Sequence, residues 1–115
     1  MISEEFIVRN EILNDGSSIH LYYSKMYEIY EAYGYSAFMV VQNCLPENNG
    51  AFPLKESYSD KLQMPMVKVN LEQMALIRSK GLVQEDPDND GYIYIQSFIP
   101  FDERKYTEWA QMLRG

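Results

Sequence analysis

Apolar and polar positions change period several times along the chain, and each change marks an element. Near the start Ile2, Phe6, Ile7, Val8, Ile12 and Leu13 fit a strand or a short helix equally well. Asn14-Asp15-Gly16-Ser17 reads as a turn, and Ile19 to Tyr23 as a strand rich in β-formers. The stretch from Met26 to Tyr33 carries two signals. Met26, Ile29, Tyr30 and Tyr33 stand at i, i+3, i+4 and i+7, with Ser24 as an N-cap and Gly34 as a stop, which favours a helix. Its Tyr and Ile content favours a strand, with Ser24-Lys25 turning a hairpin. Ser36 to Leu45 is apolar on most sides and stops at Pro46, which predicts a buried helix capped by Ser36. Residues 46–61 hold Pro46, Asn48, Asn49, Gly50 and Pro53 and read mostly as loop, followed by a short strand from Met66 to Val69.

The best-signalled helix begins after Asn70. Gln73 sits three residues beyond this cap, Arg78 and Lys80 occupy the last turn, and Gly81 and Leu82 supply the stop. An acidic turn over residues 85–91 leads into a strand from Tyr92 to Gln96. Asp102 then caps a closing helix whose stripe is Tyr106, Trp109, Ala110 and Leu113, with Phe101 placed to staple onto Tyr106. This order predicts an α+β domain: a single mixed sheet with about three helices packed on it.

Composition narrows the function. The chain has 115 residues, enough for one domain over its whole length, and a formal net charge of -7. That charge argues against holding nucleic acid by bulk attraction. Residues 1–36 carry six acids and two bases, and residues 70–101 carry five acids and two bases. Cys44 is the sole cysteine, so no internal disulfide forms, and a reducing, cytoplasmic setting is expected. The acidic start lacks the features of a signal peptide, and no apolar run approaches the roughly 20 residues of a membrane span, so no membrane partner is expected.

Few chemistries have support. Asp86-Pro87-Asp88-Asn89-Asp90-Gly91 matches the opening of a calcium loop, with Asp86, Asp88 and Asp90 as candidate ligands. The closing Glu is replaced by Ser97, so a solvated turn is the stronger reading. One His and one Cys cannot close a zinc site, and His20 reads as an ordinary strand residue. There is no glycine-rich phosphate loop, so neither nucleotide nor cofactor is expected. Glu28 and Glu31 form a carboxylate pair without a visible partner to shift a pKa. The ten tyrosines are more telling, since Tyr22, Tyr23, Tyr27, Tyr30, Tyr33 and Tyr35 crowd together. Tyr27, Tyr30 and Tyr33 are candidates for an aromatic surface. A Lys25, Lys55, Lys61 and Lys68 face beside Met26 would favour DNA, whereas aromatic surface rimmed by acids would favour protein.

Leu21-Tyr22-Tyr23 followed by Met26-Tyr27-Glu28-Ile29-Tyr30 resembles the entry of the mismatch-recognition domain (domain I) of MutS, an apolar strand, a turn and F-Y-E-L-F. Met64-Pro65-Met66-Val67-Lys68-Val69 and the helix after it are similar to that domain's P-M-x-x-V strand and helix, and Tyr92 to Gln96 to its last strand. Tyr30-Glu31-Ala32-Tyr33 with Ser36-Ala37 also resembles short bacterial proteins that look like free-standing versions of the domain. The resemblance covers residues 17–97 and implies a MutS domain I-like fold in which Met26–Tyr33 is the second strand of a hairpin. It also implies a non-enzymatic binding module for mismatched or distorted DNA, with Met26 and Glu28 as contacts. Met26 stands where that family has a stacking Phe, and the family's ATPase domains have no counterpart here. The alternative is a protein-interaction or homo-oligomerising module that uses the tyrosine surface.

Overall fold

The computed structural model describes residues 2–44, 54–80, 83–97 and 100–115. Its centre is one six-stranded sheet, every neighbouring pair antiparallel, in the order β3-β4-β2-β1-β6-β5. The strands are β1 Ser18–Ser24, β2 Ile29–Tyr33, β3 Lys55–Ser59, β4 Met64–Val69, β5 Val83–Glu85 and β6 Tyr92–Gln96. The helices are α1 Glu4–Ile12, α2 Gly34–Met39, α3 Leu71–Lys80 and α4 Glu103–Arg114. The α+β class stands, while the sheet is antiparallel throughout rather than mixed, and a fourth helix joins the three expected.

That fourth helix resolves the ambiguity of the first segment. The Ser3 hydroxyl accepts from the Phe6 N–H at 3.2 Å, and Glu4 and Glu5 sit in the first turn, where the helix dipole favours anions. In the second ambiguous segment the strand wins. β2 pairs with β1 on one side, Tyr22 opposite Glu31 and Ser24 opposite Ile29, and with β4 on the other. A four-residue turn at 25–28 closes the hairpin, with Glu28 in the left-handed region at φ 51. Two flanking strands supply the backbone partners that an isolated helical pattern would have provided for itself.

Three further expectations change. Residues 46–61 are not all loop, because Lys55–Ser59 forms edge strand β3, which is polar on both faces. β5 is another edge strand, and it was not predicted. Ser36 is not the cap of α2. The N-cap position is Tyr33, which makes no side-chain cap bond, and Ser36 is fully buried inside the helix. From Val40 to Cys44 this helix widens into a π-helical segment. Residues 45–53, with the expected stop at Pro46, and the stop residues Gly81 and Leu82 lie outside the described residues.

The other caps form as predicted. Asn70 Oδ1 accepts from the Gln73 N–H at 2.7 Å, and Gln73 Oε1 accepts from the Asn70 N–H at 2.9 Å. Asp102 Oδ1 accepts from the Lys105 N–H at 3.1 Å. Tyr106, Trp109, Ala110 and Leu113 make the half-buried stripe of α4, with Phe101 and Tyr106 ring centroids 5.9 Å apart.

Strand alternation sends side chains to two unlike faces. On the first, Ile19, Leu21, Ala32, Val67, Val69, Ile93 and Ile95 pack with Ala37 and Met39 of α2 and with Met74 and Ile77 of α3. Phe101 and Trp109 close that layer from the α4 side. On the second, α1 covers Tyr22, Tyr33 and Tyr92 with Phe6 and Ile7, and Ile2 and Leu62 pack beside them. There the Tyr22 and Tyr92 rings stack at 5.6 Å, and Phe6 meets Tyr92 edge-on at 5.0 Å. Among the described residues no helix is long and apolar enough to cross a membrane.

Gly16, in the turn before β1, has φ +90, and a Cβ there would lie 2.5 Å from Phe101 Cβ. Gly16→Ala therefore combines backbone strain with overpacking. It should destabilise the domain by about 2–4 kcal/mol, as read by urea unfolding. A loss below ~1 kcal/mol would contradict this packing.

Candidate functional site

A broad groove lies at the hairpin end of the sheet and follows from register. β1 pairs with β2 as far as Ser24 opposite Ile29, but its register with β6 ends at Tyr22 opposite Tyr92. One more bond follows, from the Tyr23 N–H to the Gly91 carbonyl at 2.8 Å, before the chain turns away through 86–91. The hairpin therefore outruns its neighbour and leaves a groove of about 1060 Å³. Tyr22, Tyr23, Tyr30 and Tyr92 are among its lining residues, and the Tyr23 and Tyr30 ring centroids lie 5.2 Å apart. Four acids line it, Glu31, Glu85, Asp86 and Asp90, against a single base, Lys25.

These acids are not equivalent. Asp86 is spent on its own turn, where Oδ1 accepts from the Asp88 N–H at 2.9 Å and Oδ2 from Asn89 Nδ2 at 3.1 Å. Glu85 lies 3.8 Å from Arg78 Nη1. Burial raises the Glu31 pKa, while the Tyr33 hydroxyl at 3.4 Å and nearby Lys68 oppose the rise. Asp86, Asp88 and Asp90 do not converge as calcium ligands. Among the described residues no group of three or more His, Cys, Asp or Glu side chains is placed to hold a metal.

The hairpin tip carries Met26 and Tyr27, exposed to 80% and 62%. Glu28 shares this turn, so the structure brings Met26 and Glu28 together at the tip. The Lys68 ammonium lies 5.6 Å from the Tyr27 ring centroid. The three tyrosines expected to share a surface are separated. Tyr27 is exposed, and Tyr30 is half-buried against the first-face core. Tyr33 is buried beneath α1 and leaves the surface set altogether. The lysines do not form one face either. Lys55 lies opposite Lys68 in the sheet, but Lys61 sits at the β3–β4 turn, at the far end of the strands, bound to Glu4 at 2.6 Å. Glu28 in the turn and Glu31 in β2 lose the helical spacing that would have paired them.

The most perturbed carboxyl lies on α1 and escaped the sequence reading. Glu11 is 7% exposed. It accepts from the Tyr22 hydroxyl at 2.9 Å, the Ser36 hydroxyl at 3.0 Å, the Ser36 N–H at 3.3 Å and Asn14 Nδ2 at 3.3 Å. Burial pushes its pKa up to about 7 despite these donors. Ser36 is fully buried, so this cluster is closed to a substrate and holds α1 and α2 against the sheet. His20, half-buried beside the Tyr92 hydroxyl, is pushed down to about 4 by desolvation and is neutral at pH 7. The signal for the Glu11 cluster was faint: an acid on the inner face of a short helix, one turn before a buried Asn.

Comparison of the chain with protein families, with curated proteins and with solved structures finds no match.

The raised Glu11 pKa has a definite consequence. The folded state holds this proton more tightly than the unfolded chain, whose Glu titrates near 4.5. Glu11 thus contributes full stability below pH ~4.5, and the contribution falls away as pH rises through about 7. The loss amounts to about 3 kcal/mol for a shift from 4.5 to about 7. His20 works in the opposite sense, costing stability as pH falls from 6.5 toward about 4. The difference between wild type and Glu11→Gln isolates the carboxyl. In urea unfolding the variant should gain on wild type from pH 5 to pH 8, and a pH-independent difference would refute the assignment.

Proposed function

We propose that the protein is a non-enzymatic binding module that engages a protein partner through the hairpin end of its sheet. The observation that carries this reading is the exposure of Met26 and Tyr27, at 80% and 62%, on a turn bordering the acid-walled groove. Exposed large apolar side chains beside aromatic walls are the usual material of a protein contact. The acids beside them oppose a phosphate backbone. The lone Cys44 fits a reducing compartment, and we place the module in the cytoplasm on that ground.

A second reading follows from the MutS domain I resemblance, with Met26 and Glu28 contacting mismatched or distorted DNA. Its support is Met26 at the apex of a turn beside Lys25, a position from which an apolar side chain can wedge between bases.

Two measurements separate the readings. A photo-crosslinking residue in place of Tyr27 should give a discrete protein adduct in cells, and the same residue in place of Arg104 should not. Adducts of equal intensity at both positions would remove the protein reading. Fluorescence anisotropy against matched and mismatched duplexes at low salt should show no binding at about 100 µM, the weak end of non-specific duplex affinity. Mismatch-preferring binding lost in Met26→Ala or Glu28→Ala would establish the DNA reading instead.

A further inference from the structure

We infer that the partner of the hairpin tip is a second copy of this chain, whose helix α1 presents the apolar depression that receives Met26 and Tyr27. The inference rests on the protein-partner reading and names the partner. Its starting point is where apolar surface is left bare. Ile12 and Leu13, at the end of α1, are each exposed to 75%, comparable with the two tip residues. With Val8, and with Leu62 of the β3–β4 turn, they line a shallow depression of about 540 Å³. Among the described residues, the other exposed large apolar side chains are Leu71 and Met112, on α3 and α4. Exposed apolar surface is thus gathered at two places, and the two are matched.

They match first in shape and position. The tip is convex, a four-residue turn with both apolar side chains exposed, and the depression is concave. Leu62 sits in the β3–β4 turn, and Leu13 precedes Asn14, whose Nδ2 donates to the Ser18 carbonyl at the start of β1. Both therefore stand at the end of the strands away from the hairpin. No residue belongs to both features, so a copy seated by its tip still offers its own depression to the next. Such a head-to-tail contact is heterologous and does not close with two copies. Tip against tip would bring two convex turns together over little area, and depression against depression would enclose a void whose lining lacks contacts.

Charge fits the same pairing. Lys25 and Glu28 stand at the two ends of the turn, on either side of Met26 and Tyr27. Glu5 and Arg9 stand one helical turn apart at the rim of the depression. The ends of a four-residue turn lie within about 7 Å, and side chains at i, i+4 of a helix about 6 Å apart, so Lys25 can meet Glu5 while Glu28 meets Arg9. All four are exposed, and none has an ion-pair partner among the described residues, whereas neighbouring Glu4 is held by Lys61. The contact is small and each copy carries a net charge of -7, so the association is weak.

Sedimentation velocity of the whole chain, from about 10 µM to about 1 mM, should show reversible growth past the dimer. The tip variant Met26→Ser with Tyr27→Ser and the depression variant Ile12→Gln with Leu13→Gln should each lose association by about tenfold or more. An equimolar mixture of the two should recover it and stop at a one-to-one dimer, because one variant keeps the depression and the other keeps the tip. Leu71→Gln with Met112→Gln should associate like wild type. Circular dichroism confirms that each variant is folded. A wild type that stays monomeric at about 1 mM would overturn the inference. So would loss in the tip variant alone, or failure of the mixture to recover, or equal loss in the Leu71 and Met112 variant. If the wild type is monomeric and the crosslinker at position 27 still captures one discrete protein other than this chain, the inference falls and the protein-partner reading stands. Adducts of equal intensity at positions 27 and 104 would remove both.

Discussion

The contact on which the rest of the structure depends is the carboxylate of Glu11 against the start of α2. This helix carries no side-chain cap of its own, and its Ser36 N–H is satisfied by a carboxylate from another element. The Ser36 hydroxyl extends the arrangement by donating to Glu11 and accepting from the His20 N–H of β1 at 2.8 Å. Tyr22 and Asn14 complete it, so one buried acid joins α1, the first turn, β1 and α2. The helix approaches closely enough because position 34 is glycine, with φ +57. A Cβ there would come within 3.3 Å of Met64 Sδ and 3.5 Å of Glu11 Cβ. Burying a carboxyl without a cation is costly, and the donors offset that cost only in part, which is why its pKa rises.

The unequal covering of the sheet follows from the same joint. α2, α3 and α4 cover the first face, so its strand positions are Ile, Leu, Val and Ala. A nine-residue helix covers the second, and the side chains beneath it are tyrosines, whose rings pack while their hydroxyls reach polar groups at the margin. Past the end of that helix the tyrosines continue into the groove, where ring faces and carboxylates meet in one lining. The groove is therefore a margin of the core rather than an addition to it.

How much of this was legible depends on whether a signal was local. Caps at Asn70 and Asp102 were legible because both partners of each bond lie within three residues. β1 and β6 were legible because Ile and Tyr, good strand formers, crowd into both. From Met26 to Tyr33 a helix and a strand both place Ile29 and Tyr33 on one side, and only Tyr30 distinguishes them. It crosses to the first face in the strand, and no local feature marks that choice. β3 and β5 were illegible because edge strands need no apolar alternation. Ser36 looked like a cap, yet its hydroxyl serves partners sixteen and twenty-five residues away. The groove depends on how far one strand outruns another, which is a property of pairing rather than of any segment. Met26 was reached through a family resemblance and Tyr27 through the crowding of tyrosines, and Tyr33, taken with Tyr27, proved buried.

The bond from Trp109 Nε1 to Glu56 Oε1, 2.6 Å long, gives the final helix a second duty. It ties α4 to β3, the edge strand at this border of the sheet. At the opposite border of the sheet, β5 is only three residues long and ends in an acidic turn, so it offers little to copy. One border is thus kept from pairing by brevity, while the other is tied to the C-terminal helix. A proteolytic cut before Asp102 would release α4 and bare the Phe101 side of the core, an apolar surface on which copies of the chain could meet.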